Sequence, residues 1–327
     1  MMREKRWVLS DLMVFFLLIT SSMLWAADKY PVQEIRIITG TGPGGGVDRM
    51  SRSVQRFLPD VLGVSVLVEN RKGAGGKIAA RYVMQQPADG YTIFAYHQPG
   101  ITNMIKKNPG LLALNDFAYI NINWIDPTLI AANKNTGWKS LEDMIQAAKK
   151  NPGKYSFAAP GAASAGTVIP KLLFEKLGLD IRIAPYGGGG SARAAVMGHH
   201  ADMTAGGATG MLAIEEVAVP LAVFSKKLVP SWPDARPVNE FLAKYNLKMP
   251  DAGSFRLFAV RKEGKEKYPE RWKILVEAFK KLITEHKGFQ EFCDKGKIGR
   301  DWYGPEKSLA LVKKVDEAFA KIPLPKK

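Results

Sequence analysis

The sequence predicts an α/β protein made of two αβ units, each with a mainly parallel sheet flanked by helices. Three observations support this fold class. Short apolar runs of strand length alternate with helical patterns along most of the chain. Four glycine-rich segments each follow such a run, and ligands bind at the carboxyl ends of the strands in open parallel sheets. The alternation then restarts near residue 116, which indicates a second unit.

The first 26 residues have the pattern of a secretory signal peptide. Basic "MREKR" precedes the apolar run "WVLSDLMVFFLLITSSMLW", and the chain then turns polar at "AADKYP". We place the cleavage after Ala26, which predicts an exported, periplasmic protein. The alternative is a retained membrane anchor, because the apolar run approaches the length that spans a bilayer.

The first unit follows a β-α-β-α-β order. Strands are predicted at "EIRIIT", "VSVLVEN" and "GYTIFAYH", and helices lie between them near residues 49–62 and 77–86. This order is typical of a parallel sheet that carries its helices on its faces.

The alternation restarts with two predicted strands, "DFAYINI" and "PTLIAAN", and a helix at "SLEDMIQAAKK" that Ser140 caps. The second αβ unit is predicted from about Asn133 to about Val229. Strands at "KYSFAAP", "IRIAPY" and "ADMTAGG" then alternate with helices at "VIPKLLFEKLG" and "SARAAVMGHH". The run "GSFRLFAVRK" predicts a strand that returns to the first unit, and two helical patterns end the chain. We therefore assign residues 27–128 and 251–327 to lobe 1, and residues 129–250 to lobe 2.

The charge balance favours anionic ligands. The formal net charge of the sequence is +16, and such a field attracts anions and acidic surfaces. The basic residues are spread over helices, without a basic arm or an aromatic RNA-binding motif, so nucleic acid is not the predicted partner. A single cysteine, Cys293, excludes an intramolecular disulfide.

The four glycine-rich loops are the main candidate site. They are "GTGPGGG" (40–46), "KGAGG" (72–76), "PGAASAG" (160–166) and "GGGG" (187–190). Glycine lets backbone N–H groups approach a ligand closely, and a helix N-terminus adds partial positive charge. The first loop also fits G-x-G-x-x-G, with Glu69 at the end of the next strand, which is the outline of a dinucleotide site. Export argues against a nicotinamide cofactor, so we predict an anion cradle instead.

Several side chains near these loops allow alternative roles. Asp48 either caps its helix, positions the glycine loop, or accepts from a ligand amine. Ser164 stands in "AASAG", which approaches a nucleophile elbow and would need a histidine as base, so an exported serine hydrolase is an alternative. His97 ends the third strand and is either a ligand contact or a structural histidine. No group of side chains has the spacing of metal ligands, and neither a metal nor a cofactor is predicted.

Four segments together resemble the substrate-binding proteins of tripartite tricarboxylate transporters, the Bug family. They are "YPVQEIRIITGTGPGGGVDRMSR", "VLVENRKGAGGKIAA", "PADGYTIFAYH" and "APYGGGGSARAAVMGHHADM". The resemblance runs from about Tyr30 to about Ile322. It implies a two-lobed periplasmic binding protein fold, similar to type II, that closes on a small di- or tricarboxylate or aromatic carboxylate.

The resemblance also implies partners and site residues. A monomeric receptor without enzymatic activity would pass its ligand to membrane permease subunits, and a receptor that feeds a signalling system is the alternative. We expect the backbone N–H groups of Gly44 and Gly45 to face the carboxylate. The positions that correspond to ligand contacts in the family are Gly42, Pro43, Gly44, Gly45, Asp48, Gly73, Ala74, Gly75, Gly76, Ser164, Thr167 and Tyr186, to which we add His97.

Overall fold

The computed structural model describes residues 29–162, 164–226, 228–320 and 322. The signal peptide predicted for residues 1–26 lies outside this described part. Within it, the helices all fall short of the length and apolar character needed to cross a bilayer.

The described residues contain nine strands and twelve α-helices. The strands are β1 Ile35–Thr39, β2 Val66–Asn70, β3 Thr92–Gln98, β4 Phe117–Asn133, β5 Ser156–Pro160, β6 Arg182–Tyr186, β7 Met203–Gly207, β8 Ala218–Val223 and β9 Gly253–Arg261. The helices are α1 Gly46–Leu62, α2 Lys77–Gln85, α3 Gly100–Lys107, α4 Leu141–Lys150, α5 Ala165–Lys176, α6 Gly189–Met197, α7 Ala208–Met211, α8 Val238–Leu242, α9 Lys262–Lys267, α10 Pro269–Glu285, α11 Lys287–Lys295 and α12 Gly304–Ala320.

The strands pair in the order β2-β1-β3-β9-β4-β7-β5-β6, and β8 also pairs with β4. β1 is parallel to β2 and β3, and β5 is parallel to β6 and β7. The strands in the middle of the array, β9 and β4, are antiparallel to their neighbours. The α/β fold class is therefore confirmed, while the sheet is mixed because the neighbouring pairs β3–β9, β9–β4 and β4–β7 are antiparallel.

The central strand β4 joins the two halves of the molecule. The first half holds β1, β2, β3 and β9, and the second half holds β5, β6, β7 and β8. Its first part, up to Pro127, pairs with β9, and its second part, from Thr128, pairs with β7 and β8. The two strands predicted here are therefore one strand of 17 residues. Proline is tolerated at the edge of a ladder, and Pro127 lies opposite Gly253, the first residue of β9.

Each half has its own apolar core beneath these strands. The helix α1 buries Val47, Met50, Val54 and Leu58, which recur every three or four residues and so form one face. The last helix, α12, packs in both halves: its earlier turns join the core around β3 and β9, and its last turns join the core around β5. The lobe boundaries therefore stay a prediction, with one C-terminal helix in contact with both cores.

Candidate functional site

A cavity of about 460 Å³ lies where the four glycine-rich loops meet. Every one of these loops contributes lining residues, and each loop leads into a helix, namely α1, α2, α5 or α6. The volume lies in the range of small-molecule sites. Four helix N-termini directed toward one space make it suited to an anion.

The first glycine loop is held in shape by the side chain of Asp48. Gly44 has a left-handed φ of +74°, and its N–H donates to Asp48 Oδ2 at 2.9 Å. The N–H of Gly45 donates to the Gly42 carbonyl at 3.4 Å. Both N–H groups are thus used inside the loop, contrary to the expectation that they face a ligand. The first N–H groups of a helix have no partner within the helix, and two residues of the first turn of α1, Gly46 and Val47, line the cavity.

Asp48 lies behind the loop and has no open acceptor face toward the cavity. Its side chain is 3% exposed, and it also accepts from Arg52 Nε at 3.0 Å and from Asn70 Nδ2 at 2.8 Å. Of the roles left open above, the geometry matches positioning of the glycine loop.

The second glycine loop rests on Tyr96. The Tyr96 hydroxyl donates to the Gly75 carbonyl at 2.7 Å. A Cβ on Gly76 would lie 2.4 Å from the Tyr96 ring, and one on Gly40 would lie 2.9 Å from it. Glycine at these positions lets both loops of the first half close on the same ring. Ala74, Gly73, Gly75 and Gly76 all line the cavity.

His97 presents a neutral imidazole to the cavity. Burial, and then the charge of Arg256, lower the pKa of His97 to about 4, against a smaller opposing effect of a hydrogen bond with the Gln98 backbone. Its Nδ1 atom is buried and has no hydrogen-bond partner among the residues that the structure describes. Because this nitrogen has almost no exposed surface, His97 lines the cavity through other atoms of its ring, and its role as a ligand contact stays a prediction.

The second half contributes small polar groups. The Ser164 hydroxyl donates to the Pro160 carbonyl at 2.8 Å and lies 3.4 Å from Thr167 Oγ1. Ser164 and Tyr186 line the cavity, whereas Thr167 is buried below Ser164. In the described part of the chain, Ser164 makes no hydrogen bond to a histidine, so the base that a serine hydrolase needs is not in place there.

Of the other residues selected from sequence, Gly42 and Gly45 line the cavity, while Pro43, Gly44 and Asp48 lie just outside it.

Three arginines line the same cavity, and sequence reasoning did not select them. They are Arg49 on α1, Arg193 on α6 and Arg256 on β9. The chain holds 47 lysines and arginines, so no local signal separates these three from the rest. The exposed Lys72 also lies at the rim.

Arg256 is held by the buried carboxylate of Asp126. Both terminal nitrogens of Arg256 lie 3.1 Å from Asp126 Oδ2, and the two side chains are 6% and 0% exposed. The other carboxylate oxygen accepts from the N–H of Thr209 at 2.9 Å. The guanidinium also stacks over Trp124, 3.8 Å from the ring centroid. The pair therefore sits where the two halves of the molecule meet.

Arg193 reaches from the second half to the first. One of its terminal nitrogens donates to the Gly44 carbonyl at 3.4 Å. Burial lowers the pKa of Arg193 to about 10, and the charges of Arg49 and Arg256 act in the same direction, with Asp126 opposing them. Arg49 donates to the Gly296 carbonyl, and burial lowers its pKa as well. Three guanidinium groups thus share one carboxylate.

The described residues contain no group of three His, Cys, Asp or Glu side chains that would hold a metal ion. The polar groups of the cavity are instead backbone amides, hydroxyls, one imidazole, guanidinium groups and, at the rim, the ammonium group of Lys72. This set binds an anion by hydrogen bonds and charge, without a metal.

The fold is that of the periplasmic binding proteins. The family model described as "Tripartite tricarboxylate transporter family receptor", TctC, matches residues 50–287. The chain belongs to this family of solute-binding receptors, and the resemblance stated from the sequence is confirmed.

Known relatives agree with this assignment. The chain is 30% identical over 232 residues to the "UPF0065 protein in the TAR-I ttuE-ttuC' intergenic region" of Agrobacterium vitis, covering 68% of this chain and 66% of that protein. It is 31% identical over 176 residues to "Protein BugT" of Bordetella pertussis, covering 53% of this chain and 54% of BugT. The matched stretches thus span between about half and two thirds of these relatives' own length.

Solved structures extend the similarity over the whole fold. The periplasmic binding protein BugD superposes with a TM-score of 0.77 at 26% identity, over 91% of this chain and 100% of BugD. MatC from Rhodopseudomonas palustris, solved with bound malate, superposes with a TM-score of 0.78 at 19% identity, over 90% of this chain and 99% of MatC.

Proposed function

We propose that this protein is a periplasmic receptor that captures a small carboxylate between its two lobes and delivers it to the permease subunits of a tripartite tricarboxylate transporter. The observation that carries the proposal is the positive balance of the cavity. Four helix N-termini and three guanidinium groups face a space of about 460 Å³, and one buried carboxylate opposes them.

The family and the size of the cavity support a carboxylate as the anion. Membership in the tripartite tricarboxylate transporter receptor family supports transport, and a protein of the same fold, MatC, is known with malate. A guanidinium group matches a carboxylate with two parallel hydrogen bonds. The neutral His97 side chain adds a hydrogen-bonding group that does not cancel the positive charge.

We propose that binding proceeds by lobe closure and without catalysis. The ligand would contact both halves, and this contact would favour the closed state by its differential affinity. The hydroxyl of Ser164 would serve as a hydrogen-bonding group of the second half rather than as a nucleophile, since its donor is used on the Pro160 carbonyl. The ligand-contact role of the glycine loops is part of the same proposal.

A thermal-shift screen tests the ligand class. The mature protein is heated alone and with mono-, di- and tricarboxylates, both aliphatic and aromatic, with NAD and sugars as controls. At a hundredfold excess over Kd a ligand adds about 2.7 kcal/mol of apparent stability. This corresponds to a rise in Tm on the order of several degrees. A reproducible rise with NAD and none across the carboxylates would overturn the proposal.

Two cellular measurements test export and delivery. N-terminal sequencing of the periplasmic fraction should find a mature chain that begins at or near Ala27, and full-length protein in the membrane fraction would contradict export. Uptake of the carboxylate found in the screen should fall when the gene is deleted. Unchanged uptake, with loss of a transcriptional response to the same compound, would instead identify a sensor.

A further inference from the structure

Arg193 is the one cavity-lining cation that the second half contributes among the described residues. Arg49 and Arg256 come from the first half, on α1 and β9. The Arg193 side chain crosses the cleft to the Gly44 carbonyl, 3.4 Å away. The three guanidinium groups are therefore brought into one space only when the two halves are together.

The charges in this space do not balance. Asp126 is the carboxylate that meets them, and both of its contacts with a guanidinium go to Arg256. In the described residues, Arg49 and Arg193 have no carboxylate within ion-pair distance. Their hydrogen bonds go to backbone carbonyls, those of Gly296 and Gly44. One carboxylate thus faces three guanidinium groups, which leaves an excess of two positive charges beside the cavity.

An anion with one charge would leave one of these cations without a partner. Partly buried cations are costly unless they are paired, because the low-polarity surroundings do not replace water. A second negative charge on the ligand would meet Arg193 while the first meets the Arg49 side of the cavity. This contact would add considerable binding free energy, because the hydrogen bonds between a guanidinium group and an anion are charge-assisted.

We propose that Arg193 is a specificity-determining residue that makes this receptor prefer small anions with two negative charges over those with one. The inference rests on the proposed function for the location of the site, and goes beyond it by naming the residue that distinguishes ligands with two charges from those with one. A dicarboxylate and a phosphate share the required chemistry.

Matched ligand pairs test the preference by titration calorimetry at fixed ionic strength. Succinate is compared with butyrate, and adipate is compared with hexanoate. The two members of each pair have the same chain length and differ by one carboxylate group. Inorganic phosphate is the third probe. We expect each dicarboxylate that binds to do so about tenfold or more tightly than its partner.

Variants of the same protein connect the preference to Arg193. Arg193→Gln should lower dicarboxylate affinity about tenfold or more while it changes monocarboxylate affinity little, so that the ratio collapses. Arg193→Lys should restore part of the ratio, since it keeps the charge but not the planar fork. Arg182→Gln is the matched control, because it removes one exposed arginine of the same half whose contact is the Lys154 carbonyl. Thermal unfolding of each variant verifies that it is folded.

The outcomes separate this inference from the proposed function. Carboxylates that bind with equal affinity in both members of a pair, or an Arg193→Gln variant that weakens both members by the same factor, overturn the inference alone. Phosphate binding that depends on Arg193, without any carboxylate binding, supports the inference and overturns the proposed function. No binding of any of these anions overturns both.

Discussion

Replacing Asp126 by asparagine removes the carboxylate that pairs with Arg256 and keeps the shape of the side chain. The amide oxygen still accepts from the N–H of Thr209, which donates to Asp126 Oδ1 at 2.9 Å in the native protein. The change therefore isolates the charge of the pair. Arg256, with its side chain 6% exposed, is left as a buried cation without its partner.

The expected loss of stability is large. Removing one member of a buried pair costs about 3–5 kcal/mol, because the remaining charge is neither paired nor hydrated. At roughly 2 °C per kcal/mol for a chain of this size, Tm should fall by about 6–10 °C. Anion affinity should change in the opposite direction, since the cavity gains one unit of positive charge. A bound dicarboxylate should therefore recover part of the lost Tm.

Scanning calorimetry with and without ligand, together with titration calorimetry, measures both effects. Glu240→Gln is the matched control: its pair with Arg236 spans 2.7 Å, but the two side chains are 46% and 62% exposed. An exposed pair contributes little, so the Tm of this variant should stay within about 1 °C of the wild type. If Asp126→Asn melts at the same temperature as this control, the buried pair does not contribute to stability as its burial predicts.

Three further predictions follow from single contacts. Gly46→Ala would place a Cβ 2.3 Å from Arg256 Nε; we expect anion affinity to fall about tenfold in calorimetry, and an unchanged Kd would show that Arg256 is not a ligand contact. His97 has a folded-state pKa of about 4 against an ordinary 6.5, so the unfolded chain takes up a proton first and stability falls by about 3 kcal/mol as pH drops from 6.5 to 4. The free energy of unfolding, measured with urea at several pH values in this window, should change less with pH in His97→Gln than in the wild type. An identical pH dependence in the two proteins would contradict the buried neutral imidazole. Asp48→Asn should cost about 1–3 kcal/mol in denaturant unfolding, because the charged acceptor of the Gly44 N–H is lost, and a change below about 0.5 kcal/mol would refute its positioning role.

The regular elements were predictable because their signals are local. The strands β1, β2, β3, β5 and β6 and the helices α1, α2 and α4 begin and end within a few residues of the predicted limits. Each of these elements is indicated by apolar periodicity and by glycine residues that lie within a short stretch of the chain. The error at β4 arose at Pro127, which reads as a break in sequence but lies opposite the start of β9 in the sheet. The antiparallel course of β9 likewise has no local signal.

The glycine loops could be predicted from the sequence and the charged groups of the site could not, for the same physical reason. The amino-acid sequence by itself determined that four glycine loops follow strands and precede helices, since that relation lies within a few neighbouring residues. Only the tertiary structure decided which charges face the cavity. Asp126 and Arg256 are 130 residues apart in the chain. The β4–β9 register sets Arg256 opposite Trp124 and Asp126 two residues further along, so the side chains meet as a diagonal pair on one face of the sheet. Strand register depends on contacts across the whole sheet, and no stretch of sequence around either residue encodes it.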